Sequence, residues 1–135
     1  MTNRKAQSEI NNVKNEILSN IKKLGFTIEK SDLGKSIYLL NGNIMIDLIY
    51  ASLNSRNEYF FGIEEEQFIN AYNTNRNYFQ IFVCDNVDQI FVIPLAFMIE
   101  ILKDAKSNDH VAFHQWKPII RQRNGAFYYT IKWYL

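Results

Sequence analysis

The chain has 135 residues, of which 47% are hydrophobic and 15% aromatic, and its formal net charge is +1. That is enough apolar material for one folded core, and it excludes a disordered chain. No apolar run reaches the ~18 residues that a membrane-spanning helix needs, so no membrane association is expected. The near-neutral total conceals an uneven distribution. Residues 1–36 carry seven Lys/Arg against four Asp/Glu, residues 37–109 four against ten, and residues 110–135 four against none. A basic end of this kind attracts polyanions, and it can equally neutralise an acidic middle within one fold. The opening MTNRKAQSEINN is too polar for a signal peptide. Cys84 is the single cysteine, so no internal disulfide forms, and the expected setting is reducing and cytoplasmic. Without CxxC or histidine-rich company, Cys84 reads as a small buried hydrophobe.

Taken in order, Ala6, Ile10, Val13, Ile17, Ile21 and Leu24 recur at helical spacing. This predicts an amphipathic helix over 3–24, stopped by Gly25, with Lys22 and Lys23 at the negative end of its dipole. FTIE and SIYLL read as strands on either side of a polar turn containing Asp32 and Gly34. Asn41-Gly42 predicts a two-residue hairpin turn into NIMIDLIYAS. In that strand Ile44, Ile46, Leu48 and Tyr50 share one face, and Met45, Asp47 and Ile49 share the other. Both faces being apolar predicts a central strand covered on each side. Asp47 is then a carboxylate within a buried run, and it must be hydrogen-bonded, ion-paired or metal-bound.

EYFFGI predicts the next strand, and Glu64, Glu65 and Glu66 suit the positive N-terminal end of a short helix, EEEQFINAY. YFQIFVC and QIFVIP follow as a strand pair turning through 85–88, and Tyr78–Cys84 is expected as a second inner strand of the sheet. Pro94 is expected at the first position of a helix over 95–106 whose Leu95, Met98, Ile101, Leu102 and Ala105 face inward. The tail predicts a β-hairpin turning on Asn124-Gly125. His110 and His114 lack cysteine partners and an HExxH context, so they read as loop or surface histidines rather than metal ligands. The whole is expected to be one domain over 1–135, a core of 1–106 plus a hairpin over 107–135. Its expected class is α/β (α+β), a central mixed sheet flanked by helices in the order α-β-β-β-β-α-β-β-α-β-β.

This order, and above all the run from Ile46 to Pro94, resembles the core of the PD-(D/E)XK nuclease superfamily, the restriction-endonuclease-like fold. The resemblance implies that Asp47-Leu48-Ile49 occupies the place of the (D/E)-x-K triplet and that Asp32 stands for the upstream acid. Glu9 or Glu16 would stand for the first-helix glutamate of some members. In that chemistry two carboxylates hold Mg²⁺ and a lysine orients or activates the attacking water. Here isoleucine stands at position 49, where the lysine belongs, and Lys30 or Lys35 would have to reach in from a neighbouring strand. Asp32 in its DLG turn also reads as an Asx-type turn residue.

A nuclease-like fold without its metal centre can keep a groove for nucleic acid. A two-residue turn at 124–125 pairs Arg123 with Ala126, Arg121 with Tyr128, Ile119 with Thr130 and Lys117 with Lys132. One face of the hairpin then holds Lys117, Ile119, Arg121, Arg123, Tyr128, Thr130, Lys132 and Tyr134, and it interleaves cations with aromatics as phosphate contact and base packing require. The opposite face, with Ile120 and Phe127, reads as core. A plain solvated strand surface has the same composition. Three function classes follow. The first is a non-catalytic nucleic-acid-binding module, for DNA in the first instance, attached to restriction, repair or mobile-element systems, with Lys117, Arg121, Arg123, Tyr128, Lys132 and Lys35 in contact and no cofactor. The second is a Mg²⁺-dependent nuclease with Asp32 and Asp47 as metal ligands and a displaced lysine. The third is a protein-interaction or inhibitor domain using exposed aromatics. Monomer and homodimer are both open.

Overall fold

The computed structural model describes residues 6–74, 76–102, 115–116, 118–123 and 126–131. Helix α1 (Gln7–Lys23) forms where the helical periodicity placed it. It ends where Gly25 takes a φ of +103° and donates its N–H to Lys22 O at 2.9 Å. Three strands follow as an antiparallel meander, β1 (Ile28–Lys30), β2 (Ile37–Leu40) and β3 (Ile44–Ala51).

The turn between β2 and β3 departs by one residue from the two-residue expectation. Leu40 pairs with Ile44, so Asn41, Gly42 and Asn43 form a three-residue loop. Asn41 and Gly42 both adopt left-handed φ, 51° and 74°. Burial selects this register. Cross-strand partners share a face, and Leu40, Ile44 and Ile46 all pack towards α1. A two-residue turn would set Leu40 against Asn43 and turn every β3 partner to the wrong side. The Asn41 side chain also accepts hydrogen bonds from Thr27 N and Oγ1, at 2.9 and 3.2 Å, and so pins the start of β1.

EYFFGI splits into β4 (Glu58–Phe60) and β5 (Ile63–Glu64), after which α2 (Glu65–Tyr72) begins with Glu65 and Glu66 in its first turn. This segment is a crossover, because β6 (Asn77–Cys84) runs parallel to β3 along its whole length, from Ile44↔Asn77 to Ala51↔Cys84. Strand β7 (Ile90–Pro94) returns antiparallel, with Pro94 as its last residue, and α3 (Leu95–Leu102) starts directly after it. The resulting sheet is mixed, in the order β1-β2-β3-β6-β7, with β3 and β6 inside as their apolar faces required. The domain is α+β. None of the described helices is long and apolar enough to cross a membrane.

Helix α1 covers one face of this sheet, packing Ile17 against Leu40, Ile46, Leu48, Ile81 and Val83. The other face buries Phe82, Cys84, Met98 and Leu102 together with Tyr59, Phe61 and Ile120. Fully burying a side chain such as Leu48 or Met98, each at 0% exposure, contributes about 1.5–3 kcal/mol. Asp85, with a φ of +72°, locks the C-terminal ends of β3 and β6 to the crossover. Its carbonyl accepts the Tyr50 hydroxyl at 2.9 Å, and its carboxylate accepts the Tyr59 hydroxyl at 3.1 Å.

The C-terminal strands are not a free-standing hairpin. Strand β8 (Gln115–Trp116) pairs with β5, and β9 (Pro118–Arg123) lies between β10 (Ala126–Ile131) and β4. The β9–β10 register is the expected one, with Arg123 opposite Ala126 and Arg121 opposite Tyr128. The addition of β4 to the other edge of β9 is what the sequence did not announce.

Candidate nucleic-acid interface and the sealed Asp47 cluster

Asp47 sits at 3% exposure in the middle of β3. Its two carboxylate oxygens are both engaged, Oδ1 by the Ser36 hydroxyl and Oδ2 by Gln80 Nε2 at 3.0 Å. Gln80, opposite Asp47 on the parallel neighbour and at 0% exposure, also donates to the Asp47 carbonyl at 3.1 Å. The Tyr78 hydroxyl completes the chain by donating to Gln80 Oε1 at 2.8 Å. Burial pushes the Asp47 carboxyl above its ordinary range, against the hydrogen bonds from Ser36 and Gln80 and the positive charge of Lys14. Half-buried Lys14, on α1, is lowered by its own burial, and the Asp47 charge only partly offsets this. For both groups desolvation outweighs the mutual attraction, as expected when two charges leave water without direct contact. Burial likewise raises the Tyr78 phenol.

The other acids of the expected nuclease pattern lie elsewhere. Asp32 is exposed in the turn before β2, and that turn is closed by the Ser31 hydroxyl, which accepts the Leu33 N–H at 3.1 Å. Glu9 and Glu16 are exposed on α1, and Lys30 and Lys35 are exposed. Among the described residues no three His, Cys, Asp or Glu side chains converge as a metal-holding group. Lys14 is the residue that sequence reasoning missed. It belongs to the polar side of the α1 periodicity, and only the packing of α1 on the sheet brings its charge within reach of Asp47.

The hairpin differs from an open cationic face. Ile119, expected on that face, is at 0% exposure, and Ile120 on the opposite face is at 5%. Arg121 is half-buried and forms a salt bridge with Glu58 at 2.9 Å, because β4 places Glu58 directly opposite it. Its Nε is buried without a hydrogen-bond partner. Arg121 is therefore committed to the fold. For Arg123 and Tyr128 the backbone pairing alone is described, and Lys117, Lys132, Tyr134, His110 and His114 lie outside the described residues, as does the Asn124-Gly125 turn.

A different surface gathers cations. Between α1 and the strands β1, at the sheet edge, and β2 beside it lies a groove of about 410 Å³. Asn15, Leu18, Ser19 and Lys22 form one helical stripe facing it, and Ile28, Lys30 and Tyr38 face it from the sheet. Lys30 and Tyr38 are cross-strand partners and so share that face, whereas Glu29 alternates to the opposite one with Leu39. Leu18, Ile28 and Tyr38 are half-buried and make the floor, and Asn15, Ser19, Lys22 and Lys30 are exposed and make the rim. No carboxylate lines the groove, and among the described residues neither lysine carries an ion pair. A second concavity, of about 430 Å³, lies where α1 leaves β6 and β7 partly open. Asn20 is the one polar residue in its lining. The chain matches no family model, no curated protein and no solved structure.

Proposed function

We propose that this protein is a non-catalytic nucleic-acid-binding module built on a nuclease-like core, with DNA as its ligand and the reducing cytoplasm as its setting. The sealed state of Asp47 carries this reading. The acid at the place where nuclease chemistry would need an open metal ligand is buried, and its oxygens are taken by Ser36 and Gln80. A Mg²⁺ ion binds through one or two carboxylates while keeping several waters, and a buried carboxylate whose two oxygens are already hydrogen-bonded leaves it no room to coordinate. The meander followed by a helical crossover to a parallel strand supports the ancestry. The cation-lined groove beside β1 supports the binding.

One observation favours the metal-dependent alternative. Lys14 stands near Asp47 electrostatically, as a displaced lysine would. A mobility-shift and cleavage assay with and without Mg²⁺, on duplex and single-stranded DNA, separates the two. The expected result is a retarded complex whether or not Mg²⁺ is present, and intact DNA throughout. Robust Mg²⁺-dependent cleavage that disappears in Asp47→Asn would overturn the non-catalytic reading.

A further inference from the structure

The α1–β1 groove combines three features. Its rim holds two exposed lysines on different elements, Lys22 at the end of α1 and Lys30 at the end of β1. No acid lines it to neutralise them, and neither lysine is drawn into an ion pair with a described residue. Its floor is half-buried and presents the Tyr38 ring beside aliphatic Leu18 and Ile28. Two cations without a facing acid, around an apolar, aromatic floor, make a surface complementary to an anion attached to a flat, weakly polar body. A nucleotide has that form, with its phosphate at the rim and its base against the phenol and the aliphatic side chains.

The size and shape narrow the class further. About 410 Å³ lies towards the lower end of the ~300–1,000 Å³ range of small-molecule sites, enough for a single nucleotide unit. The groove is concave and lies at the outer edge of the sheet. A duplex offers such an edge its phosphates but keeps its bases stacked inside, so the floor would go unused. An unpaired strand can turn one base out into the floor while its flanking phosphates meet Lys22 and Lys30. Asn15 and Ser19 add neutral hydrogen-bonding groups along the same helical stripe.

We infer that the α1–β1 groove is a single-strand site, in which Lys22 and Lys30 hold the phosphodiester backbone and Tyr38 packs against a base. This inference rests on the nucleic-acid reading above and moves the contact from the hairpin cations to the helix–edge-strand groove.

The test is fluorescence anisotropy with a labelled oligothymidylate, on the whole chain, across a range of salt concentrations. Lys22→Glu/Lys30→Glu is the principal variant. Both side chains are exposed, so its urea midpoint is expected to match that of the unaltered protein. Affinity is expected to fall at least about tenfold. The magnitude of the log–log salt slope should drop by about 1.4, at about 0.7 per single-strand phosphate contact. Tyr38→Leu keeps an apolar floor, and it should weaken binding with the salt slope unchanged, because base packing releases no counterions. A folded double variant that binds the oligonucleotide like the unaltered protein overturns the groove and leaves the nucleic-acid reading standing. An unaltered protein that binds neither oligothymidylate nor duplex overturns both. Inorganic phosphate alone, raising the melting temperature as effectively as an equal concentration of oligonucleotide phosphate, would show a small-anion site and overturn the strand assignment.

Discussion

Gln80→Ala tests the argument that a buried polar network, not metal chemistry, accounts for Asp47. Gln80 is fully buried and holds three hydrogen bonds, to Asp47 O at 3.1 Å, to Asp47 Oδ2 at 3.0 Å and from Tyr78 OH at 2.8 Å. Truncation strands an acceptor on the carboxylate and a donor on the phenol in the dry centre of the sheet, and it removes the side-chain bond from the Asp47 carbonyl, which lies within the β3–β6 ladder. Each group left unsatisfied costs about 1–3 kcal/mol. The costs are not additive, because the Tyr78 hydroxyl can rotate and a water can enter the space vacated by the amide. The expected loss is about 3–5 kcal/mol, a large share of the ~5–15 kcal/mol typical of a domain. Urea unfolding followed by far-UV circular dichroism at neutral pH would measure it, with an unchanged m-value certifying that the native fold persists. A loss below about 1 kcal/mol would mean that Asp47 is satisfied some other way, and the network argument would fall.

Asp47→Asn addresses the same cluster through pH. Burial raises the Asp47 carboxyl in the folded state above its ordinary value of 3.8. Its contribution to stability is therefore fully present below that value and is lost as pH rises through the folded-state pKa. Asparagine carries no such dependence, so the variant should gain stability relative to the unaltered protein as pH rises from about 4 to 7; a difference curve that falls over that window would refute the assignment. Glu58→Gln should cost about 1–2 kcal/mol, well short of a fully buried pair because Arg121 is half-exposed, and a double-mutant cycle with Arg121→Met should show coupling. Independent effects of the two changes would show the ion pair to be incidental. Cys84 is at 0% exposure with its thiol raised to about 12, so disulfide-exchange reagents should label it only at the rate of global unfolding. Rapid labelling of the native protein would contradict the burial of β6.

Local pattern alone determined much of the framework. The helical spacing of Ile10, Val13, Ile17 and Ile21 specified α1. The doubly apolar runs through Leu48 and Ile81 specified two inner strands, since only a strand covered on both faces can bury such a sequence. Asp47 was conspicuous for the same reason. A lone carboxylate in such a run demands partners, although the sequence does not name them. The partners were decided by tertiary structure. Ser36 comes from the turn just before β2 and Gln80 from the parallel strand beyond the crossover, 33 residues away, and Lys14 from a helix folded over the sheet. The turn at Asn41-Gly42 was legible as a turn, but its length was not. Which of two registers forms depends on where Leu40 and Ile44 are buried, and that burial exists only once α1 has docked. The same holds for the charges. Alternation along the hairpin placed Arg121 on an open face until β4 set Glu58 against it. Lys22 and Lys30, separate in sequence and ordinary in composition, became neighbours of one groove only through the packing of α1 on the sheet edge. Periodicity reports which face of an element is buried. The element that covers that face depends on contacts between residues far apart in the chain, and those contacts placed both the sealed acid and the exposed cations.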